Sequence, residues 1–401
     1  MNKNIYEVLK DRELIKQITF EDEFKKVSSN EIFSVYLGID PTANSIHIGH
    51  FIPLMMMSYF QECGHRPIII VGGGTATIGD PSGKTDMRKM LTREDIDKNV
   101  ECIKNQVKKF ISFEGENAAI IVNNADWILA QNYIEFVSKI GVHFNVNRML
   151  AAECYKQRME KGLTFFELNY MIMQSYDFLH LFENYNCKVQ IGGDDQWSNM
   201  LGGVDLIRKL HKNGSFCITC PLLLNSEGLK MGKTVNGALW LSSEKTSVFD
   251  FYQYWRNIKD DEVYNVLRML TKLDMNEVKR LSNLEGSDIN EAKKIAAYEI
   301  TKLIHGEQEA LKAKEAAESL FENGNTSDNM NLVEVNKDTL NILDLLILCG
   351  ITTSKSQGRT LISQGGIFID EEKVSDDKLI INKPEFVIRK GKKTYIKVIV
   401  K

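Results

Sequence analysis

His47 and His50 close the run Asp40-Pro-Thr-Ala-Asn-Ser-Ile-His-Ile-Gly-His, which follows a β-rich segment at residues 33–39. Three residues apart, the two imidazoles share one side of a first helical turn, beside N–H groups at the positive end of a helix dipole. That arrangement is a donor cluster for an anionic group. Ser45 is placed to cap the helix, and Gly49 would let a flat ring or a sugar approach the backbone. An isolated H-x-x-H pair reads more simply as two surface histidines, and a metal site would need a third ligand nearby. The complete run after a strand and a proline turn is far more specific.

A second loop, Gly72-Gly-Gly-Thr-Ala-Thr-Ile-Gly79-Asp80-Pro-Ser-Gly83-Lys84, imitates a nucleotide motif without being one. Ile78 occupies the glycine position that a P-loop requires, and Thr77 replaces the third glycine of G-x-G-x-x-G. What remains is a wide turn after a strand, carrying one carboxylate. Asp80 there suits an ammonium group; the same stretch also reads as an ordinary surface loop.

Residues 163–182 are apolar on nearly every face, so they predict a buried helix. Within it Tyr170, Gln174 and Asp177 fall at i, i+4 and i+7, which is one stripe. Buried polar side chains without partners cost ~1–3 kcal/mol each, so either a mutual network with water or a ligand must satisfy the stripe. A pocket wall for an amphoteric ligand is the functional reading. Gln190-Ile-Gly-Gly-Asp-Asp195-Gln196-Trp follows as a strand ending in a glycine turn, with carboxylates suited to ribose hydroxyls or a primary amine.

Lys230 and Lys233 lie three apart in the polar stretch Asn225-Ser-Glu-Gly-Leu-Lys-Met-Gly-Lys-Thr234. Such a loop can close over a polyphosphate and stabilise charge that develops in the transition state. Alone it is indistinguishable from a solvated loop. Cys217-Ile-Thr-Cys220 is a C-x-x-C with no second pair, in an apolar setting that reads as a buried strand rather than a zinc or redox site.

These loops need a scaffold. Short apolar runs at 33–39, 67–71, 118–123 and 188–191, separated by helix-period segments such as 48–63, predict a doubly wound parallel α/β sheet. Its ligand site is expected at the carboxyl ends of the strands. Strand signals vanish over residues 247–323, which predicts a helical region. Residues 322–337, rich in Asn with Gly, Ser, Thr and Asp, read as a linker.

With 43% hydrophobic and 26% charged residues, the chain is neither disordered nor fibrous. No run approaches the ~18 apolar residues of a membrane span, and the first twenty residues carry no signal-peptide pattern. Seven scattered cysteines point to a reducing cytosol. The formal net charge of −4 discourages nucleic-acid binding by overall charge. Residues 341–401, however, hold 11 Lys/Arg against 7 Asp/Glu, a net of +4, leaving about −8 elsewhere.

Taken together, His47-Ile-Gly-His50 and Lys230-Met-Gly-Lys-Thr234 resemble the paired motifs of class I aminoacyl-tRNA synthetases. The intervening GIDPTANSIHIGH, GGGTATIGDPSGK, MIMQSYDFLHL and QIGGDDQW resemble the bacterial-type tyrosyl-tRNA synthetases, with likeness along essentially the whole chain. Ser354-Lys-Ser-Gln-Gly-Arg359, Gln364-Gly-Gly-Ile-Phe-Ile-Asp370 and Lys373-Val374 resemble an S4-type RNA-binding domain. The resemblance implies a Rossmann-like catalytic domain at 1–222, the lysine loop and a helical domain at 223–322, a linker at 323–340 and an S4-like α+β domain at 341–401.

It also implies residue roles. Tyr36 and Asp177 would bind a tyrosine phenol; Asp80, Tyr170 and Gln174 its ammonium; Gln190 would lie near its carboxylate. Asp40, His47, Gly49, His50, Asp195 and Gln196 would line the ATP side, with Lys84, Arg88, Lys230, Lys233 and Thr234 reaching the pyrophosphate. Lys355, Arg359, Lys373, Arg389 and Lys390 would face tRNA(Tyr). ATP acts as a substrate with Mg2+, no cofactor is held tightly and no protein metal site is expected. The family pairs as a homodimer, and the apolar 136–150 region is a candidate contact. Three departures stand out: Gly232 where the class motif has serine, Asp194 where a small residue is commoner, and Pro53 soon after His50. The chain could instead be a catalytically idle RNA binder, or use tryptophan. The intact motif residues oppose the first, and Tyr36 with Asp177 opposes the second.

Overall fold

The computed structural model describes residues 4–80, 92–160, 162–212, 214–234, 237–322, 331–335, 341–370, 372–391 and 394–400. They form two compact units: Met1–Ser242 with Asn265–Met275, and Ser243–Tyr264 with Asn276–Lys401.

The first unit is built on a six-stranded sheet of order β1-β6-β5-β2-β3-β4. Its strands are β1 (Gln17–Ile18), β2 (Ser34–Ile39), β3 (Arg66–Val71), β4 (Ile120–Asn123), β5 (Cys187–Gly193) and β6 (Phe216–Cys220). All neighbours run parallel except β1 and β6. In β3 every residue after Arg66 is buried, as a strand covered by helices on both faces requires. The order turns outward in both directions from β2 and β5, which opens a crevice at their carboxyl ends. A two-stranded ribbon, β7 (Lys233–Thr234) and β8 (Gly237–Ala238), completes this unit's strands among the described residues.

The crossover after β2 is a 3-10 turn, Ile48–His50, leading into a helix at Phe51–Glu62. Phe51 to Phe60 are all buried in that helix. Pro53 lies in its first turn, where backbone N–H groups lack helical partners in any case, so it breaks no ladder bond. Ser45 does not cap this turn as expected: its hydroxyl pairs with Gln106 Oε1 at 3.0 Å, and His47 is the capping residue. Arg12 and Arg268 explain why residues 265–275 return to the first unit. Arg12 Nη1 donates to the Arg268 and Thr271 carbonyls, and Arg268 Nη1 donates to the Arg12 and Glu13 carbonyls.

The helix carrying the polar stripe spans Phe165–Tyr185. Thr164 and Glu167 form a capping box at its start. Arg158 grips the same Glu167, Nε to Oε1 at 2.7 Å and Nη2 to Oε2 at 3.0 Å, with both side chains buried. Tyr155 donates its hydroxyl to the Leu168 carbonyl at 3.0 Å. The expected burial on all sides fails at this end, where Phe165 is 67% and Phe166 42% exposed.

In the second unit, helices Val248–Arg256, Ile289–His305 and Glu307–Glu322 pack together. A five-stranded sheet follows, of order β11-β10-β12-β13-β9. Its strands are β9 (Asn331–Val335), β10 (Ile367–Ile369), β11 (Glu372–Lys373), β12 (Glu385–Lys390) and β13 (Thr394–Val400). Helices Ile342–Leu348 and Lys355–Ser363 share its core through Ile342, Leu345, Ile362, Phe386 and Val398. The expected linker therefore contains a strand. β9 pairs in parallel with β13 from Asn331↔Ile396 to Val335↔Val400, because the short alternation Val333-Glu-Val335, which turns both valines to the core, is enough to complete a sheet edge. No helix among the described residues is long and apolar enough to cross a membrane.

Arg158→Ala strands a buried carboxylate and is expected to cost about 3–5 kcal/mol in urea unfolding. Lys104→Ala, which breaks the surface pair with Glu101, is expected to cost under ~1 kcal/mol. The Arg158 guanidinium holds the Glu167 carboxyl below its ordinary range, so this stabilisation is present at neutral pH and fades as pH falls through the depressed value. Equal losses for the two variants would show that the pair does not hold the helix start.

Candidate functional site

The site residues of the first unit gather at the carboxyl ends of β2 to β5. Tyr36 and Gln190 are opposite one another in the β2–β5 register, so their side chains leave the same sheet face. The Phe165–Tyr185 helix covers that face: Tyr36 packs on Phe178 with ring centroids 5.2 Å apart. The Tyr36 hydroxyl is buried with no hydrogen-bond partner among the described residues, as are Gln190 Oε1 and Gln174 Oε1. Burial, reinforced by the Asp177 charge, raises the Tyr36 phenol well above its usual pKa. Each orphan costs ~1–3 kcal/mol, which a ligand carrying matching polar groups would recover.

Asp177 is buried but not orphaned. Asn124 Nδ2 donates to Oδ2 at 2.9 Å and Trp127 Nε1 to Oδ1 at 2.7 Å. Burial pushes its carboxyl up to about 7, while these two donors pull it down and the Asp40 charge adds to the rise. Asp177 is thus satisfied from other elements rather than along its own helix, while Gln174 Oε1 in the same stripe has no partner among the described residues. Asn124 also donates to Thr75 Oγ1 at 3.1 Å and accepts from the Gly74 N–H at 2.8 Å. Thr75 Oγ1 donates to Asp40 Oδ1 at 2.9 Å, and Tyr170 donates to Asp40 Oδ2 at 2.9 Å. Since Tyr170 and Asp177 share a helix, the chain Asp177–Asn124–Thr75–Asp40–Tyr170 closes on itself. Donating to Asp40 leaves the Tyr170 oxygen able to accept from an ammonium group.

His47 and His50 stack obliquely with ring centroids 4.3 Å apart. His47 Nδ1 accepts from the Gly49 N–H at 3.0 Å, and a Cβ on Gly49 would meet the His47 ring at 2.8 Å. The glycine therefore accommodates the imidazole itself as well as any ligand. The lysine loop is fastened to this turn. His47 and Trp240 form a backbone bridge, and Ile48 N–H donates to the Leu239 carbonyl at 3.1 Å. Gly232 has φ +81°, and a Cβ there would come within 1.9 Å of Ile48 Cγ2. A serine would be strained and crowded, which accounts for the first departure from the class motif. Lys230 is exposed, and Lys233 and Thr234 lie in β7. Lys84 and Arg88 lie outside the described residues.

Asp80 is buried and accepts from Gln196 Nε2 at 2.6 Å. Asp195 beside it is exposed. Cys217 and Cys220 lie within β6, where burial pushes each thiol up to about 12 and leaves it unreactive. Among the described residues no group of three His, Cys, Asp or Glu side chains could hold a metal ion.

In the second unit the expected RNA-facing cations are mostly engaged within the fold. Lys355 pairs with Asp344 at 2.6 Å, Arg359 with Asp377 at 3.0 Å, and Lys390 Nζ donates to the Ile351 carbonyl at 3.2 Å. Arg389 lies over the Phe368 ring, 3.7 Å from its centroid. Lys373 lies beside Gly365, where an added Cβ would meet its Nζ at 2.4 Å.

Asn124, Trp127 and Thr75 are the site residues that sequence reasoning missed. A signal existed for Asn124: Asn123-Asn124 directly follows the apolar run of β4, the position from which a parallel strand delivers polar groups to a crevice.

Residues 28–322 match the family model of class I tRNA synthetases (W and Y), and residues 322–398 match that of the tyrosine–tRNA ligase SYY-like C-terminal domain. The tyrosine–tRNA ligase of Clostridium perfringens strain SM101 is 55% identical over 99% of both chains. That of Clostridium tetani is 55% identical over 100% of both. Among solved structures, a C-terminally truncated mitochondrial tyrosyl-tRNA synthetase of Aspergillus nidulans superimposes with a TM-score of 0.72 at 28% identity, covering 80% of this chain and 94% of that one. The chain belongs to the class I tRNA synthetases, and within them to the tyrosine–tRNA ligases.

Proposed function

We propose that the chain activates L-tyrosine with ATP and then transfers the tyrosyl group to the 3′ end of tRNA(Tyr). One observation carries this reading: three orphaned buried polar atoms, on Tyr36, Gln174 and Gln190, surround a sheet face walled by Phe178. An aromatic amino acid with a polar group at each end fits that pattern. Tyr36 and Asp177 take the phenol; Tyr170, Gln174 and Asp80 take the ammonium; Gln190 lies toward the carboxylate. The carboxylate oxygen attacks the α-phosphorus of ATP, a C–O–P linkage forms, and the bond to pyrophosphate breaks.

Asp40, Gly49, Asp195 and Gln196 line the nucleotide side. His47, His50, Lys84, Arg88, Lys230, Lys233 and Thr234 stabilise charge on the departing pyrophosphate, a role that preorganised donors perform best where charge develops. ATP enters as its magnesium complex. The chain works in the cytoplasm, and its C-terminal module, with Lys355, Arg359, Lys373, Arg389 and Lys390, meets the tRNA. Cations already paired with Asp344 and Asp377 must exchange those partners for phosphate, so their contribution to RNA affinity is the smaller one.

The reading is tested by tyrosine-dependent ATP–pyrophosphate exchange and by charging of tRNA(Tyr). A folded protein that exchanges with tryptophan or with neither amino acid would sink it. Asp177→Ala is expected to reduce the preference for tyrosine over phenylalanine at least ~tenfold, since a site built for a hydroxyl rejects the analogue lacking it. For tyrosyl-tRNA synthetases that rejection of phenylalanine is known to reach ~10⁵, which sets the ceiling on the loss. An unchanged preference would show that Asp177 does not meet the phenol. The raised Asp177 carboxyl also costs stability as pH climbs from its ordinary value toward about 7, a dependence that Asp177→Asn is expected to remove.

Pairing with a second copy is the reading we give to the exposed apolar residues Tyr133, Ile134, Val137, Val142, Val146 and Phe165 of the first unit. Sedimentation is expected to give the mass of two chains, and Phe165→Asp to shift it toward one. A single-chain mass for the unaltered protein at micromolar concentration would remove the pairing.

A further inference from the structure

Asp194 takes no part in the chemistry above, yet its carboxylate is tied to two residues of other strands. Its Oδ1 accepts from Gln17 Nε2 at 2.7 Å and from Thr219 Oγ1 at 2.9 Å. Thr219 Oγ1 in turn accepts from the Gln17 backbone N–H at 3.1 Å, and Gln17 and Thr219 face one another in the β1–β6 register. The edge strand and its neighbour thus converge on one oxygen. The tied segment is a single 3-10 turn, Asp194–Gln196, entered through Gly192 and Gly193 and leading into the helix Trp197–His211. The ladder between β5 and β6 ends at the pair Gly193↔Cys220, so beyond it the direction in which the next side chains leave is set by side-chain contacts. Those next side chains are Asp195, whose Oδ1 folds back to within 2.6 Å of where a Cβ on Gly193 would sit, and Gln196, which donates to Asp80.

We propose that Asp194 is a positioning residue: through Gln17 and Thr219 it fixes the turn that presents Asp195 and Gln196, and so sets the nucleotide side of the site. The proposal rests on the assignment of those two residues to ATP. It also explains the second departure from the family pattern as a gain of anchorage rather than a change in charge at the nucleotide.

The test compares Asp194→Ala, Gln17→Ala and Asp194→Asn in pyrophosphate exchange. Both alanine variants are expected to raise KM for ATP roughly tenfold, as small misplacements near reacting groups do, with KM for tyrosine moving under about twofold. Asp194→Asn keeps an accepting oxygen and is expected to stay near the unaltered enzyme. The double alanine variant should be no worse than Asp194→Ala alone, since both cut the same tie. Amide hydrogen exchange over residues 192–197 is expected to quicken in the alanine variants and not in Asp194→Asn, a readout that needs no turnover. Parallel rises in both KM values, equal damage from Asn and Ala, or faster amide exchange with an unchanged KM for ATP would each overturn the proposal. An unaltered protein without tyrosine-dependent exchange would overturn the underlying assignment instead, and the amide comparison would tell the two failures apart.

Discussion

Two carboxylates inside an apolar wall are the constraint around which the first unit is arranged. Asp40 and Asp177 sit close enough for each charge to oppose the other, and burial adds to the cost. Hydrogen bonds reach them from the strand ends and the covering helix: Asn124 from the end of β4, Thr75 from the turn after β3, Tyr170 from the helix Phe165–Tyr185. Because the chain of contacts returns to its starting helix, no member can shift without disturbing the others. Such a network is either fully satisfied or costly, and it ties the place assigned to the phenol to the place assigned to the nucleotide. Arg158 and Glu167 fix the start of the same helix, so the polar stripe arrives at the crevice in one register.

A second constraint joins segments far apart in the chain. The histidine turn and the lysine loop lie about 180 residues apart in sequence. In the fold Ile48 packs where a side chain at position 232 would otherwise stand, and backbone bonds at Ile48 and Leu239 seal the contact. Glycine at 232 is thus a packing requirement of this chain's own Ile48. The backbone of the lysine loop is held at the histidine turn, before any phosphate arrives.

Much of the scaffold was legible because its signals are local. The run Pro-Ile-Ile-Ile-Val announces a strand covered on both faces, and β3 has that burial. The stripe of Tyr170, Gln174 and Asp177 announced a helix with something to satisfy, and the helix is there. What satisfies it was not legible. Asn124 and Trp127 lie some fifty residues from Asp177, and nothing in an Asn-Asn pair after a strand says which distant carboxylate it will meet. Ser45 fails as a cap for the same reason: Gln106, on a distant helix, competes for its hydroxyl and wins. The exposed Phe165 and Phe166 defeat a periodicity argument because an apolar side chain left on the surface has the same residue type as one facing the core.

The strand hidden in the Asn-rich stretch bears on how the chain can be divided. β9 covers five of the seven residues of β13, Ile396–Val400, and forms the outer edge of the terminal sheet. A fragment begun at residue 341, where helix signals resume, would present β13 with a bare row of N–H and C=O groups, a template for pairing with other chains. A recombinant fragment begun ahead of Asn331 keeps that edge capped. The usable cut site is therefore set by sheet closure, several residues upstream of where composition alone would put it.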